Sequence, residues 1–329
     1  MPLEKIAYLI GAGATHAEIM NIEENPNETF IRKNGLKISD VSNRVMKRAQ
    51  INSKFKKYVE EVTYRTGTVD IELLISLFES NQIPDVDYKV NYLKKLVEKD
   101  IRKILSPEQK KKFYLHKALF ELHELIKNKE FLTGVISLNY DDILDIAYKR
   151  IRKCKPNYGL NSNKGKDIPL LKLHGSFNWT KISIFGKRKT IPIIPLGLNK
   201  NYLIPPYNFI WGKALEVLVQ CDKLRLIGCS LSQNDIGLID LLFKAHLERS
   251  SHFIMEIIDT QTVGEKIKKV YGFFPGIKTL KDIENSLIPG DINLEAELSN
   301  PFRIWLKAKA ERMLSRRRIN AKKYLKKCL

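Results

Sequence analysis

The sequence predicts an α/β fold in which a parallel sheet is flanked by helices. Short apolar runs of strand length alternate along the chain with segments of helical periodicity. That alternation is typical of βαβ units, whose strands are buried on both faces and are therefore almost continuously apolar. Hydrophobic residues make up 43% of the 329 residues, which is enough for a packed core and excludes intrinsic disorder as the main state.

The predicted elements follow one another in a regular order. The first strand covers 6–10 and ends in a glycine turn at Gly11 and Gly13. Later strands are predicted at 132–138, 169–173, 223–229 and 252–259. Helices are predicted at 141–153, 209–220, 235–247 and 263–270, and a hairpin at about 177–195.

A long helical stretch separates the first two predicted strands. From residue 41 to about 127 the sequence has helical periodicity, many charges and few β-branched runs. We therefore predict a catalytic or binding domain over 1–290, with a helical insertion at about 41–127. The remaining residues, 291–329, form a basic C-terminal segment.

The positive charge is concentrated in that last segment. The whole chain has a formal net charge of +20, and residues 301–329 contain eleven basic residues against one acidic residue. Asn300 and Pro301 have the pattern of an N-cap and a first helical residue, so we predict that the segment begins as a docked amphipathic helix. The basic end beyond it is typical of a contact with nucleic acid or an acidic partner protein, and equally of a solvated end without a ligand.

Cysteine usage and hydropathy exclude several classes of protein. The four cysteines are scattered and form no CxxC pair, which argues against a disulfide framework and against a zinc site. The sequence contains neither a signal-peptide pattern nor an apolar run long enough for a bilayer. We expect a cytoplasmic protein with no bound metal and no membrane contact.

Five predicted strand ends carry residues that could bind a ligand or take part in catalysis. Ligands of an open parallel sheet bind beyond the carboxyl ends of its strands, and the segments at these ends are 11–15, 139–142, 174–176, 228–230 and position 259. Each segment alone has a structural explanation, such as a tight turn, a helix cap or a satisfied histidine. His16 occupies the place of the third glycine of GxGxxG, so the dehydrogenase fingerprint is not met.

The order of these motifs is more informative than any one of them. The succession GAG, SLNYDD, KLHGS, GCSL and IID resembles the sirtuin-like family over about residues 6–259. The resemblance implies a Rossmann-like domain that binds NAD+, with Asn139 and His174 as catalytic residues. It also implies NAD contacts at Gly11, Ala12, Gly13, Ala14, Thr15, Asp141, Gly228, Ser230 and Asp259.

Departures from the family pattern decide which branch the chain resembles. It lacks the four-cysteine zinc ribbon and the Asp-Phe-Arg segment of protein deacylases, and Leu138 stands where they have glutamine. The phrases LNYDD, KLHGS and IGCSLSQND look like the zinc-free NAD hydrolases of bacterial anti-phage systems. These include Thoeris-type effectors, defence-associated sirtuins and partners of HerA-type ATPases or short Argonautes.

That branch implies an activity and a biological setting. NAD+ would be hydrolysed to nicotinamide and ADP-ribose by a gated homo-oligomer, in antiviral defence by NAD depletion. A HerA-type ATPase, a short Argonaute or nucleic acid at the basic tail would be its partner. Two alternatives stay open: a non-catalytic assembly module that binds nucleic acid or an ATPase through its basic tail, and a zinc-free protein deacylase.

Overall fold

The fold is taken from a computed structural model that describes most of the chain. The described residues are 2–23, 27–50, 53–66, 71–80, 85–160, 167–181, 202–233, 235–249, 251–274, 276–287, 300–314 and 324.

Six parallel strands form one sheet in the described part of the chain. They are β1 (Glu4–Ile10), β2 (Glu130–Ser137), β3 (Leu170–Lys172), β4 (Lys223–Ile227), β5 (Ile254–Ile258) and β6 (Ile277–Lys278). Their spatial order is β3-β2-β1-β4-β5-β6, and every pair is parallel. This is the strand order of the Rossmann fold, so the predicted α/β class with a parallel sheet is confirmed.

Helices cover both faces of this sheet. Before β2 they are α1 (Ala12–Met20), α2 (Glu28–Asn34), α3 (Ile38–Ala49), α4 (Ser53–Thr66), α5 (Ile71–Ser80), α6 (Val86–Ile104), α7 (Pro107–Lys112) and α8 (Leu115–Ile126). After β2 they are α9 (Ile143–Arg152), α10 (Tyr207–Gln220), α11 (Ile236–Leu247), α12 (Gln261–Val270), α13 (Leu280–Leu287) and α14 (Pro301–Leu314). Among these described helices, none has the length and apolar character that crossing a membrane requires.

The central strand β1 divides the core into two layers. Side chains of a strand alternate between its two faces, so Ile6, Tyr8 and Ile10 pack with α1, α8, α9 and α14. Ala7 and Leu9 pack on the other face with α10, α11 and α12. All five are at most 1% exposed, and burying one leucine or isoleucine side chain contributes about 1.5–3 kcal/mol. The uninterrupted apolar run of the sequence therefore follows from the central position of β1.

The predicted insertion between the first two strands is helical. It has a core cluster of its own, which includes Val45, Phe55, Leu93 and Val97. Helix α3 is joined to α6 by Asp100, which is 1% exposed and pairs with Arg44 Nη2 at 2.8 Å and Arg48 Nη1 at 2.7 Å. A fully buried carboxylate needs such partners because its desolvation is costly.

Helix α14 begins where the sequence predicts. Asn300 Oδ1 accepts a 3.1 Å hydrogen bond from Arg303 N, and Pro301 is the first helical residue. The prediction of an amphipathic helix is wrong, because α14 is buried on most sides between α1, α8, α13 and β5. Even Lys309 is buried and pairs with Glu130. The basic residues at 316–318, 322–323 and 326–327 lie outside the described residues.

The predicted hairpin at 177–195 is wrong in its first part. Residues Phe177–Lys181 form a 3₁₀ helix. The backbone N–H of Phe177 donates to Tyr140 O in the loop after β2, and that of Trp179 donates to Ser176 O and closes a turn, so neither amide pairs with a strand. Residues 182–195 of the prediction lie outside the described part of the chain.

Candidate functional site

The candidate site lies beside β1, where the order of strand addition in the sheet reverses. After β1 the chain builds outward through β2 and β3, and it then returns to place β4 on the other side of β1. At such a switch point the two loops diverge and leave a crevice at the carboxyl ends of the strands. Both of these loops begin with glycine, Gly11 after β1 and Gly228 after β4.

The two glycine turns pack directly on each other. Gly11 N donates to Ile227 O at 3.0 Å, and Gly13 N donates to Gly228 O at 2.9 Å. Gly228 is in the left-handed region with φ +57°, and a Cβ there would lie 2.0 Å from Ala14 N. These glycines are therefore required by backbone packing. The amides of Gly13 and Ala14 already donate to protein carbonyls, so they are not the amides that α1 offers to an anion.

Side chains of the second motif connect to this turn. Asn139 is 7% exposed, and its Nδ2 donates to Gly11 O and to Thr15 Oγ1, each at 3.0 Å. Thr15 Oγ1 in turn donates to Asp141 Oδ2 at 3.0 Å. Asp141 Oδ1 also accepts from the backbone N–H of Ile143, the first residue of α9, at 3.0 Å. Asp141 therefore has in part the helix-start role that its sequence position predicts. Asn139 instead links the turn after β2 to the glycine turn after β1.

A buried lysine of the neighbouring strand binds to the same motif. Lys172, the last residue of β3, is 0% exposed and donates to the carbonyl oxygen of Asp141 and, at 3.2 Å, to Asp145 Oδ2. Asp145 Oδ1 also accepts from Asn178 Nδ2 at 3.3 Å. This lysine was not among the predicted site residues, although a charge inside the apolar run PLLKL was a signal that could have identified it.

His174 lies at the next strand end. Its Nδ1 is 3.2 Å from Leu138 O, so Nδ1 carries the proton of the neutral ring. Its Nε2 is 3.1 Å from Asp235 Oδ2. That contact is close but not aligned as a hydrogen bond, and Nε2 has no hydrogen-bond partner among the residues that the structure describes. Asp235 was missed as a site residue because its place before α11 predicted only a helix start.

Aromatic rings surround this histidine. The ring centroids of Tyr140 and Trp211 lie 6.0 Å and 6.5 Å from that of His174. Phe177 lies 5.6 Å from Tyr140, and Tyr202 stacks on Trp211 at 4.5 Å. Burial raises the pKa of Tyr140, so its hydroxyl stays protonated. Together the rings give His174 a largely apolar environment.

The remaining predicted residues lie toward β5. Gly228 N donates to Ile258 O at 3.1 Å, which brings the end of β5 beside the glycine turns. Asp259 follows it, accepts from Thr260 N at 2.7 Å, and has a pKa raised by burial. Ser230 is exposed and lines a cavity of 210 Å³ with Lys266 and other residues. A larger cavity of 410 Å³, at the opposite edge of the sheet, contains none of the predicted site residues.

The helical insertion contacts the site at two points. Arg102 Nη2 of α6 donates to Phe177 O at 2.8 Å, just after the His174 turn. Lys110 Nζ of α7 pairs with Asp142 Oδ1 at 2.5 Å. Just before the insertion, Leu36 N donates to His16 Nδ1 at 3.3 Å, and burial lowers the pKa of His16 to about 4, so this ring stays neutral. The insertion is therefore in direct contact with the turns that carry the candidate catalytic residues.

No protein-family model matches the chain, and no curated protein matches it. Within the described ranges, no group of three or more His, Cys, Asp or Glu side chains is arranged to hold a metal ion.

Proposed function

We propose that this protein is an NAD+ hydrolase that cleaves the bond between nicotinamide and ribose. One observation carries the proposal. His174, whose buried Nε2 has no aligned hydrogen bond among the described residues, is joined through Nδ1 to Leu138 O, and the next residue, Asn139, begins the chain of hydrogen bonds through Thr15 to Asp141. That arrangement lies at the switch point of a sheet with Rossmann strand order, which is where dinucleotides bind.

The chemistry assigns a separate task to each residue. Nicotinamide is a cationic ring and leaves with the electrons of the broken bond, so positive charge develops on the ribose. The Asp141 carboxylate stabilises that charge. Asn139 Nδ2 is held by Gly11 O and Thr15 Oγ1, and its Oδ1 orients a ribose hydroxyl or the attacking water. The water oxygen bonds to the ribose carbon, and His174 Nε2 accepts the proton that the water releases. The products are nicotinamide and ADP-ribose.

Regulation is part of the same proposal, because unrestrained hydrolysis would exhaust the NAD+ of the cell. We propose a gated cytoplasmic effector of bacterial antiviral defence that assembles with copies of itself. Its trigger would be a HerA-type ATPase, a short Argonaute or nucleic acid. The contacts of Arg102 with Phe177 and of Lys110 with Asp142 support this, because they would transmit a movement of the insertion to the site.

Release of nicotinamide from NAD+ tests the activity. We expect the parent protein to release it without any acyl substrate, which separates hydrolysis from deacylation, and the assay is run with and without DNA. His174→Ala and Asn139→Ala should lower the rate by at least about 100-fold. His252→Ala removes an exposed histidine outside the site and should keep the parental rate. Parental rates in both site variants would overturn the proposal.

A non-catalytic assembly module is the second candidate. It is favoured by one observation, that the amides of Gly13 and Ala14 are already bonded to protein carbonyls. An anion-binding helix start would ordinarily leave such amides for its ligand. Complete absence of turnover, with NAD+ and every trigger, would favour this function over hydrolysis.

A further inference from the structure

Asp235 reaches the candidate site from a different element than His174 does. It is the N-cap of α11, where its Oδ1 accepts from Leu238 N at 3.4 Å. Its other oxygen, Oδ2, lies 3.1 Å from His174 Nε2, which comes from the turn after β3. The two side chains are 7% and 6% exposed, so water screens this contact very little.

The capping role does not explain a carboxylate at this position. One oxygen is sufficient for an N-cap, and asparagine or serine caps a helix about as well as aspartate. Burying a charge is costly unless a partner compensates it. The nearby imidazole becomes such a partner when Nε2 is protonated, because its N–H would then face the carboxylate at 3.1 Å.

We propose that Asp235 is the positioning residue for His174 in the reaction. Hydrogen bonding of Nδ1 to Leu138 O leaves the lone pair on Nε2, as a base requires. The carboxylate contact is not aligned with that lone pair, so Nε2 can still receive a proton from water or a ribose hydroxyl. Once the proton is transferred, Asp235 stabilises the positive charge on the ring. This inference rests on the proposed hydrolysis of NAD+.

Asp235→Asn is the decisive variant because it keeps the helix cap and removes only the charge. Its neutral amide group cannot compensate a positive charge on Nε2. We expect kcat for NAD+ to fall roughly 100-fold while KM stays within about two-fold. Asp235→Glu should recover part of the lost kcat. Asn27 caps α2 away from the site and accepts from Phe30 N at 2.8 Å, so Asn27→Asp, the reverse exchange at a cap, should leave kcat unchanged.

A spectroscopic measurement separates this inference from the proposed function. The ¹⁵N resonances of the His174 ring are assigned by their loss in His174→Gln. In Asp235→Asn we expect the Nε2 resonance to move while Nδ1 stays bonded to Leu138 O. An unmoved Nε2 resonance, or parental kcat in Asp235→Asn when His174→Ala is inactive, would overturn the role of Asp235. If the parent hydrolyses no NAD+, the proposed function fails, and the spectrum still decides whether Asp235 acts on His174.

Discussion

The peptide nitrogen of Gly13 donates a 2.9 Å hydrogen bond to the carbonyl oxygen of Gly228. These residues are more than two hundred positions apart, yet their turns meet at the centre of the sheet because β1 and β4 are neighbours. The close approach leaves no room for a Cβ at Gly228. The glycine motifs are therefore explained first by packing, and any NAD+ bound there must fit around two turns already joined.

Substitution at Gly228 should disrupt the packing of the two glycine turns and destabilise the protein. An alanine there would be held at φ +57° with its Cβ 2.0 Å from Ala14 N. We expect Gly228→Ala to lower the free energy of unfolding by at least about 2 kcal/mol. Gly212 in α10 has no atom within 4 Å of an added Cβ, so Gly212→Ala should raise it by about 0.5–1 kcal/mol. Urea unfolding measures both, and equal effects would contradict this account of the turn.

Lys172 should be important for stability as well as for the position of Asp141. Lys172→Met leaves Asp145, which is 2% exposed, without its buried cation. We expect a loss of about 3 kcal/mol in the free energy of unfolding. Lys213→Met breaks an exposed pair with Glu216 and should change it by less than about 0.5 kcal/mol. If the two lysine variants are equally stable in urea, the buried pair has no structural role.

Acid should destabilise the protein through its buried histidines. Burial lowers the pKa of His123 to about 3, whereas an unfolded histidine titrates near 6.5. Between these values the unfolded chain binds a proton that the folded ring does not, so stability is lost as the pH falls below about 6.5. For this ring the loss is about 1.4 kcal/mol per pH unit, and His16 acts in the same direction with a pKa of about 4.

Unfolding in urea at pH 7, 6 and 5 measures this dependence. His123→Gln removes one titrating ring and should show a shallower fall in stability than the parent over the same range. Identical slopes for the two proteins would show that His123 is not buried in its neutral form.

In the C-terminal segment, we expect Tyr324 to contribute to stability and the arginines at 316–318 to contribute only to binding. Tyr324 is 4% exposed and its hydroxyl donates to Ala118 O at 2.8 Å, so Tyr324→Ala should lower the free energy of unfolding by about 3 kcal/mol. If the basic end binds nucleic acid, replacing Arg316, Arg317 and Arg318 with glutamine should weaken DNA binding without changing stability. Parental DNA affinity in that triple variant would exclude these arginines as the contact.

Local patterns were sufficient for most of the secondary structure. The apolar runs predicted five strands, because a strand buried on both faces must be apolar throughout. Strand β6 was missed because two residues carry no periodic signal. The prediction that α14 is amphipathic was wrong because its polar positions include Lys309, which is buried against Glu130.

For the candidate site as well, the sequence indicated individual residues but not the contacts between them. The sequence by itself determined which strand ends carry Asn139, His174 and the glycine turns, because each depends on neighbours in the chain. Only the tertiary structure decided that Asn139 reaches Thr15 and that His174 meets Asp235. These contacts depend on the order of strands in the sheet, which places residues far apart in sequence within hydrogen-bonding distance. No local pattern contains that order, since it follows from how the whole apolar surface is buried.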